Sequence, residues 1–228
     1  MTILKDVETR RIISVKRAYY EKKDYIFKKG KIGLLPGVSV LVGCNGCGKS
    51  TFLGAATDQL GNERVRYIYY NNLHDGGSNS VSQAIWSGNI RAASALMCSS
   101  EGETIRLNLG GVAAECRREM LRLSESEQQG EKELWLLLDA SDSGMSIDNV
   151  IELKEELFKT ILQETEKHGI TAYILVAANE YEMAAGENCL DVQSGRYVSF
   201  RDYDDYRKFI LKTRENKEKR YGRESNET

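Results

Sequence analysis

Proline and histidine are almost absent from this sequence. Its 228 residues include one proline, Pro36, and two histidines, His74 and His168. Two histidines so far apart predict no histidine-based metal cluster. With one proline, no internal repeat and no low-complexity linker, little marks a domain boundary. We therefore expect a single domain over residues 1–220 and a frayed tail over 221–228.

Long apolar runs are also missing. No run of 18 apolar residues occurs, so we expect no transmembrane helix and no membrane partner. The first eight residues lack the apolar core of a signal peptide. These two absences predict a cytoplasmic chain. In that compartment the five cysteines, an odd number, are expected to be reduced.

Neither sign of charge dominates the whole chain, whose formal net charge is −2. This balance excludes a wholly basic nucleic-acid-binding protein. The first 31 residues are different, because they contain ten Lys or Arg against four Asp or Glu, an excess of six. That segment makes DNA a candidate partner, although a solvated basic face is the commoner explanation.

Apolar β-type runs alternate with helical segments along most of the chain. Strands are predicted at 38–42, 65–70, 134–138 and 172–177. Helices are predicted at 50–60, 81–97, 104–123, 148–168 (with Asp148 as N-cap and Gly169 as C′) and 203–217. This alternation predicts an α/β fold whose mainly parallel sheet is covered by helices on both faces. A small helical lobe at about 73–124 and a C-terminal hairpin at 189–200, followed by a helix, complete the expected fold.

The strongest motif follows the first of these strands. Residues 43–50 read Gly-Cys-Asn-Gly-Cys-Gly-Lys-Ser, which matches the phosphate-binding loop pattern G-x-x-x-x-G-K-[ST]. The glycines let backbone N–H groups turn towards phosphate oxygens, and the next helix adds its positive N-terminal end. Lys49 supplies charge for the β- and γ-phosphates, and Ser50 a ligand for Mg²⁺. The predicted nucleotide-binding residues here are Gly43, Cys44, Asn45, Gly46, Cys47, Gly48, Lys49, Ser50 and Thr51.

Two cysteines of this loop, Cys44 and Cys47, form a C-x-x-C pair. A redox pair would deform the loop on oxidation, and a zinc site would need a second cysteine pair, which does not follow. Both cysteines occupy variable positions that tolerate small side chains. We favour this plain interpretation over either chemical role.

An acidic residue ends the most apolar strand of the sequence. Residues 134–138 are Leu-Trp-Leu-Leu-Leu, and Asp139 follows them. Ligands of parallel sheets bind beyond the carboxyl ends of the strands, where a carboxylate can hold Mg²⁺. We predict Ser50 and Asp139 as metal ligands, and Lys49 and Asp139 as catalytic residues.

Together these motifs resemble those of the ATP-binding cassette (ABC) ATPases. Residues 42–51 resemble their Walker A motif, 136–146 their Walker B motif and D-loop, and 178–184 their switch segment. Residues 100–103 read Ser-Glu-Gly-Glu. They resemble the signature Ser-Gly-Gly-Glu of the chromosome-maintenance and recombination-repair branch. Asn71 or Asn72 falls where the Q-loop glutamine is expected. The resemblance covers residues from about 30 to 200.

The resemblance implies a P-loop NTPase that binds ATP and Mg²⁺ and pairs with a second copy. In such homodimers each ATP lies between the Walker A motif of one chain and the signature of the other, so Ser100 is implied to contact nucleotide. Asn179 is implied to sense the γ-phosphate, and Tyr19, Tyr20 or Tyr25 to stack on adenine. Only 27 residues separate Asn72 from Ser100, too few for a transporter's helical lobe or a coiled-coil arm.

The sequence departs from the family where water would be activated. Ala140 stands in place of the expected Glu, and Asn179 in place of the expected His. Asp142 is the best substitute carboxylate and our third candidate catalytic residue, unless it only caps an Asp-Ser-Gly turn. We therefore expect a slow ATPase that switches an effector protein or a nucleic-acid complex. The alternatives are a regulatory scaffold without significant hydrolysis and, less favoured, a P-loop phosphotransferase.

Overall fold

The computed structural model describes residues 2–3, 11–15, 26–72, 101–126, 130–142 and 145–224. The strands in these ranges are β1 (Thr2–Ile3), β2 (Arg11–Ser14), β3 (Lys31–Leu34), β4 (Gly37–Val42), β5 (Ile68–Asn71), β6 (Lys132–Asp139), β7 (Ile170–Ala177), β8 (Asn188–Asp191) and β9 (Arg196–Ser199). The α-helices are α1 (Lys49–Asn62), α2 (Glu101–Glu125), α3 (Ile147–Glu152), α4 (Lys159–Lys167), α5 (Tyr181–Ala184) and α6 (Tyr203–Glu224), and a π-helical segment, Leu153–Phe158, joins α3 to α4.

Seven of these strands form one sheet, in the order β1-β9-β8-β4-β7-β6-β5. The five strands from β8 to β5 run parallel, while β9 pairs antiparallel with β8, and β1 with β9. The prediction of an α/β fold with a mainly parallel sheet is therefore confirmed. The C-terminal hairpin is confirmed as well, since Ser194 and Gly195 lie in the turn between β8 and β9.

The two faces of the sheet are covered differently. Alternate residues of a strand point to opposite faces, so Leu136 and Leu138 pack with one layer and Trp135 and Leu137 with the other. The first layer consists of α2, the helical run from α3 to α4, α5 and α6. The second consists of α1 and the separate antiparallel pair β2–β3. A two-stranded sheet thus covers part of this face, which we expected to be covered by helices alone.

The predicted helix at 148–168 contains a π-helical turn. A π turn inserts one residue into the helix and so shifts its inward face. In this turn Phe158 is the buried residue, while Leu157 is half-buried. The start was also wrong, because the N-cap position is Ser146 and Asp148 lies in the first turn. Gly169, with φ of 63°, follows the helix as predicted.

Three other helices exceed their predicted limits, and α2 does so at both ends, since it spans Glu101–Glu125 against the predicted 104–123. α1 continues through Gly61 to Asn62, and α6 continues to Glu224, into the stretch that we expected to be frayed. Residues 73–100 lie outside the described residues, and so do the predicted helix at 81–97 and the first part of the helical lobe. The second part is α2, which packs on the sheet through Leu109, Val112, Cys116, Met120 and Leu123. No helix in the described ranges is long and apolar enough to cross a membrane.

Candidate functional site

The phosphate-binding motif forms a tight loop between β4 and α1. Gly43 has a φ of 143° and Gly48 a φ of 103°, values that residues with a Cβ rarely adopt. A Cβ would lie 2.5 Å from the Cys47 Sγ at Gly43, and 2.6 Å from the Ile26 Cγ2 at Gly48. Glycine is therefore required at both positions for the loop to curl back on itself. The loop ends where α1 begins, at Lys49.

Lys49 turns back over the loop that precedes it. Its side chain is 9% exposed, and its Nζ donates a hydrogen bond to the Gly43 carbonyl oxygen at 2.8 Å. No carboxylate in the described ranges forms an ion pair with Lys49. The ammonium group is held by a neutral carbonyl beside the N-terminal end of α1, and both features favour an anion there.

The carboxyl ends of four parallel strands meet at this edge of the sheet. Asn71 pairs in register with Asp139, Asp139 with Ala177, and Ala177 with Leu41, close to where β4 enters the loop. Strand β7 lies between β4, which leads into the loop, and β6, which ends at Asp139. The exposed Asn179 follows β7. The structure thus brings the predicted loop, the predicted acid and the predicted switch residue to one edge.

Asp139 is the point where the loop and β6 are joined. The Ser50 hydroxyl donates to the Asp139 Oδ1 at 3.1 Å, although the two residues are 89 positions apart. On the other side, the Tyr69 hydroxyl donates to the Asp139 Oδ2 at 3.4 Å, and the Asn71 Nδ2 donates to the Tyr69 hydroxyl oxygen at 3.2 Å. Sequence reasoning missed Tyr69. The feature of the sequence that could have identified Tyr69 is its position two residues before Asn71, on the same face of the strand.

The chain after Asp139 turns inward. Ala140 adopts a left-handed conformation with φ of 52°, and Ser141 and Asp142 become buried. The Asp142 Oδ2 accepts the backbone N–H groups of Asn179 at 2.6 Å and Glu180 at 2.7 Å. Asp142 therefore holds the backbone that follows β7, which contains the predicted switch residue Asn179.

Two buried polar atoms beside this contact have no hydrogen-bond partner in the described part of the chain. They are the Asp142 Oδ1 and the Ser141 Oγ. Burial raises the pKa of the Asp142 carboxyl group above its usual value, while the N–H groups of Glu180 and Asn179 and the charge of Lys49 act in the opposite direction. Burial thus favours the protonated form of this carboxyl group, while the two N–H groups and Lys49 favour the charged form.

The C-terminal helix α6 contacts both the loop and the switch segment. The Thr213 Oγ1 accepts the Cys44 N–H at 3.0 Å, and the Lys217 Nζ donates to the Asn45 carbonyl oxygen at 2.9 Å. The Tyr206 hydroxyl donates to the Asn179 carbonyl oxygen at 2.9 Å. These contacts join residues far apart in the sequence, so no local pattern predicts them.

The cysteines of the loop are packing residues. Cys44 and Cys47 are free and buried, and both belong to the apolar layer around α1. Burial raises the pKa of the Cys47 thiol to about 11, although Lys49 opposes the shift. A thiol with so high a pKa stays protonated and is a poor redox or metal-binding group. This agrees with our interpretation of the C-x-x-C pair.

Several predicted residues cannot be compared with the structure. Ser100, Ser143, Gly144 and the three tyrosines Tyr19, Tyr20 and Tyr25 lie outside the described residues, as does most of the basic segment 1–31. Asn45, Ser50 and Thr51 are exposed at the loop, where a ligand can reach them. No protein-family model and no curated protein matches this chain.

Proposed function

We propose that this chain binds ATP and Mg²⁺ at the loop of residues 43–50 and hydrolyses the nucleotide slowly, as an ABC-type ATPase. The observation that carries the proposal is the hydrogen bond between the Ser50 hydroxyl and the Asp139 carboxylate at 3.1 Å. A hydroxyl from the start of a helix and a carboxylate from the end of a buried strand converge beside a lysine and the backbone of a glycine-rich loop. Nucleotide-binding sites of this type need these four elements together.

The donor set suits magnesium. Ser50 and Asp139 offer hard oxygen ligands, and Mg²⁺ uses one or two such protein ligands together with phosphate oxygens and water. No group of three or more His, Cys, Asp or Glu side chains comes together in the described ranges, so the residues there do not suit a zinc site. When bound, the metal ion neutralises phosphate charge. Lys49 and the loop amides hold the phosphates.

Water activation is the weak part of this site. Ala140 has no group that accepts a proton, and the Asp142 carboxylate already accepts two backbone N–H groups. We infer that Asp142 is mainly a positioning residue for the switch segment that carries Asn179, while its role as a base stays a prediction. Loss of a positioned base typically costs 10²–10⁴-fold. We expect turnover well below the roughly 10 s⁻¹ of a median enzyme.

The same observations favour a second candidate function. If no group activates water, the chain is a nucleotide-binding scaffold that regulates a partner without significant hydrolysis. Single-turnover measurement of phosphate release separates the two. A rate in the wild type above that of the Lys49→Ala variant supports the ATPase, and equal rates support the scaffold.

The test of nucleotide binding itself is the Lys49→Ala variant. Hydrogen bonds to charged groups contribute about 1.5–3 kcal/mol, so ATP affinity should fall roughly 10- to 100-fold. The fold should persist, because Lys49 contacts the Gly43 carbonyl and not the apolar core. Calorimetry with ATP and Mg²⁺ gives the affinities, with Lys212→Ala, an exposed lysine on α6, as the control. Equal affinities for wild type and Lys49→Ala would contradict the proposed site.

A further inference from the structure

A second lysine reaches the phosphate-binding loop from the C-terminal helix. The Lys217 Nζ lies 2.9 Å from the Asn45 carbonyl oxygen, 172 positions away in the sequence. Its side chain crosses the loop at Gly46, where a Cβ would stand 3.5 Å from the Nζ and 3.7 Å from the Cδ. Lys217 thus lies against the part of the loop just before the amides that cradle phosphate.

The charge of Lys217 is not neutralised by a carboxylate in the described ranges. Its ammonium group donates a hydrogen bond to a backbone carbonyl, as that of Lys49 does to Gly43. Two arginines near or on the same helix, by contrast, form ion pairs, Arg201 with Asp205 and Arg214 with Glu218. An ammonium group held by a neutral dipole keeps its charge available to an anion.

Helix α6 also fixes where this ammonium group lies. Thr213, one helical turn before Lys217 and on the same face, is 3% exposed and accepts the Cys44 N–H. Tyr206, two turns further back, donates to the Asn179 carbonyl oxygen. Two buried anchors hold the helix against the loop, so the lysine is positioned before any ligand binds and little ordering is needed.

We propose that Lys217 is a second phosphate-binding lysine, which α6 supplies to the terminal phosphate of a bound nucleoside triphosphate. This role rests on the proposed function. Lys217 at Asn45 adds positive charge to the same loop that Lys49 contacts at Gly43, and a triphosphate carries more negative charge than a diphosphate. P-loop NTPases gain from such an added cation, whether from the same chain or from a partner. The consequence is that Lys217 distinguishes ATP from ADP.

Four variants test this role by calorimetry with Mg²⁺ and either ADP or a non-hydrolysable ATP analogue. Lys217→Met should weaken binding of the triphosphate roughly tenfold or more and that of ADP less than about threefold. Lys217→Gln, which can still donate to the Asn45 carbonyl but lacks the charge, should behave like Lys217→Met. Lys217→Arg should keep most of the affinity. Lys212→Met removes the same charge from an exposed position of α6 and should change neither affinity.

Equal losses for the triphosphate and ADP in Lys217→Met and Lys217→Gln would overturn the role, and so would no loss at all. A loss of the same size in Lys212→Met would overturn it too, because it would reveal a general charge effect. If the wild type binds neither nucleotide, the proposed function itself falls and this role with it. If the wild type binds both and the Lys217 variants match it, only the role of Lys217 falls.

Discussion

The carboxylate of Asp142 lies in the interior of the protein, with 1% of the residue exposed. It accepts hydrogen bonds from the backbone after β7, at Asn179 and Glu180. Burial still dominates, and the pKa of the carboxyl group is raised. The native protein therefore holds the Asp142 proton more tightly than the unfolded chain does, so this group stabilises the fold in its protonated form.

The Asp142→Asn variant tests the direction of this pKa shift. The stabilisation is complete below the unfolded-state pKa of about 3.9 and is lost as the pH rises through the higher folded-state pKa. Because Asn does not ionise, the stability of the wild type relative to Asp142→Asn should decrease as the pH rises from about 4 to 7. Urea unfolding of both proteins across this range measures the difference, and Asp58→Asn, at an exposed position of α1, is the control. A difference that grows with pH would mean that the two N–H groups outweigh burial.

Single residues show what the sequence can and cannot predict about the site. Lys49, Ser50 and Asp139 follow from local motifs, because a glycine-rich loop and an apolar strand are written in consecutive residues. The backbone conformation of Ala140 does not, since alanine disfavours a φ of 52° and nothing in the neighbouring residues signals it. Lys217 reaches the loop only through the packing of a distant helix, which no local pattern encodes.

Among the helices and strands, α6 is the element that joins the separate parts of the site. It packs on the sheet through Tyr206 and Phe209, and it reaches the loop through Thr213 and Lys217. The Thr213 hydroxyl both accepts the Cys44 N–H and donates to the Ile210 carbonyl at 2.8 Å. The Cys44 N–H of the loop is therefore paired with a side chain of helix α6 and not with a strand.

We predict that Thr213→Val destabilises the protein by about 1–3 kcal/mol, because it leaves the buried Cys44 N–H without its acceptor. Valine keeps the shape and the β-branching of threonine, so packing and helix propensity change little. Thr165→Val is the matched control, since the Thr165 hydroxyl is equally buried but donates only to carbonyls of its own helix, Ile161 and Leu162. Urea unfolding measures both losses. Equal losses would mean that the bond to the loop contributes nothing of its own.

The elements themselves follow from the sequence to different degrees. β4, β6 and β7 were predicted because continuous apolar runs of this length are typical of buried parallel strands. The boundaries of the helices were predicted less well. Gly61 does not end α1, since the chain there stays helical until Asn62, and the π turn at 153–158 has no marker in the residues that form it. Packing against the sheet decides both, and packing depends on the whole fold.

At the scale of the whole molecule, the proposed nucleotide site lies at the carboxyl ends of the parallel strands, where Asn45, Ser50 and Asn179 are exposed. A nucleotide held only by the residues of that site would keep part of its phosphate surface exposed. The resemblance to ABC ATPases implies that a second copy covers this surface with its signature at Ser100. ATP would then join the two copies, and hydrolysis would release them.

We therefore predict that ATP with Mg²⁺ converts the monomer to a homodimer, whereas ADP does not. Slow turnover, expected from Ala140, should keep the dimer assembled long enough for light scattering or sedimentation to measure its mass. Lys49→Ala should stay monomeric at ATP concentrations that saturate only the wild type, because its ATP affinity is lower. Ser100→Arg should bind ATP and still stay monomeric, because a bulky cation at the signature blocks the approach of the second copy. A wild-type monomer at high protein concentration and saturating ATP would exclude this pairing and leave a different effector protein as the partner that the nucleotide controls.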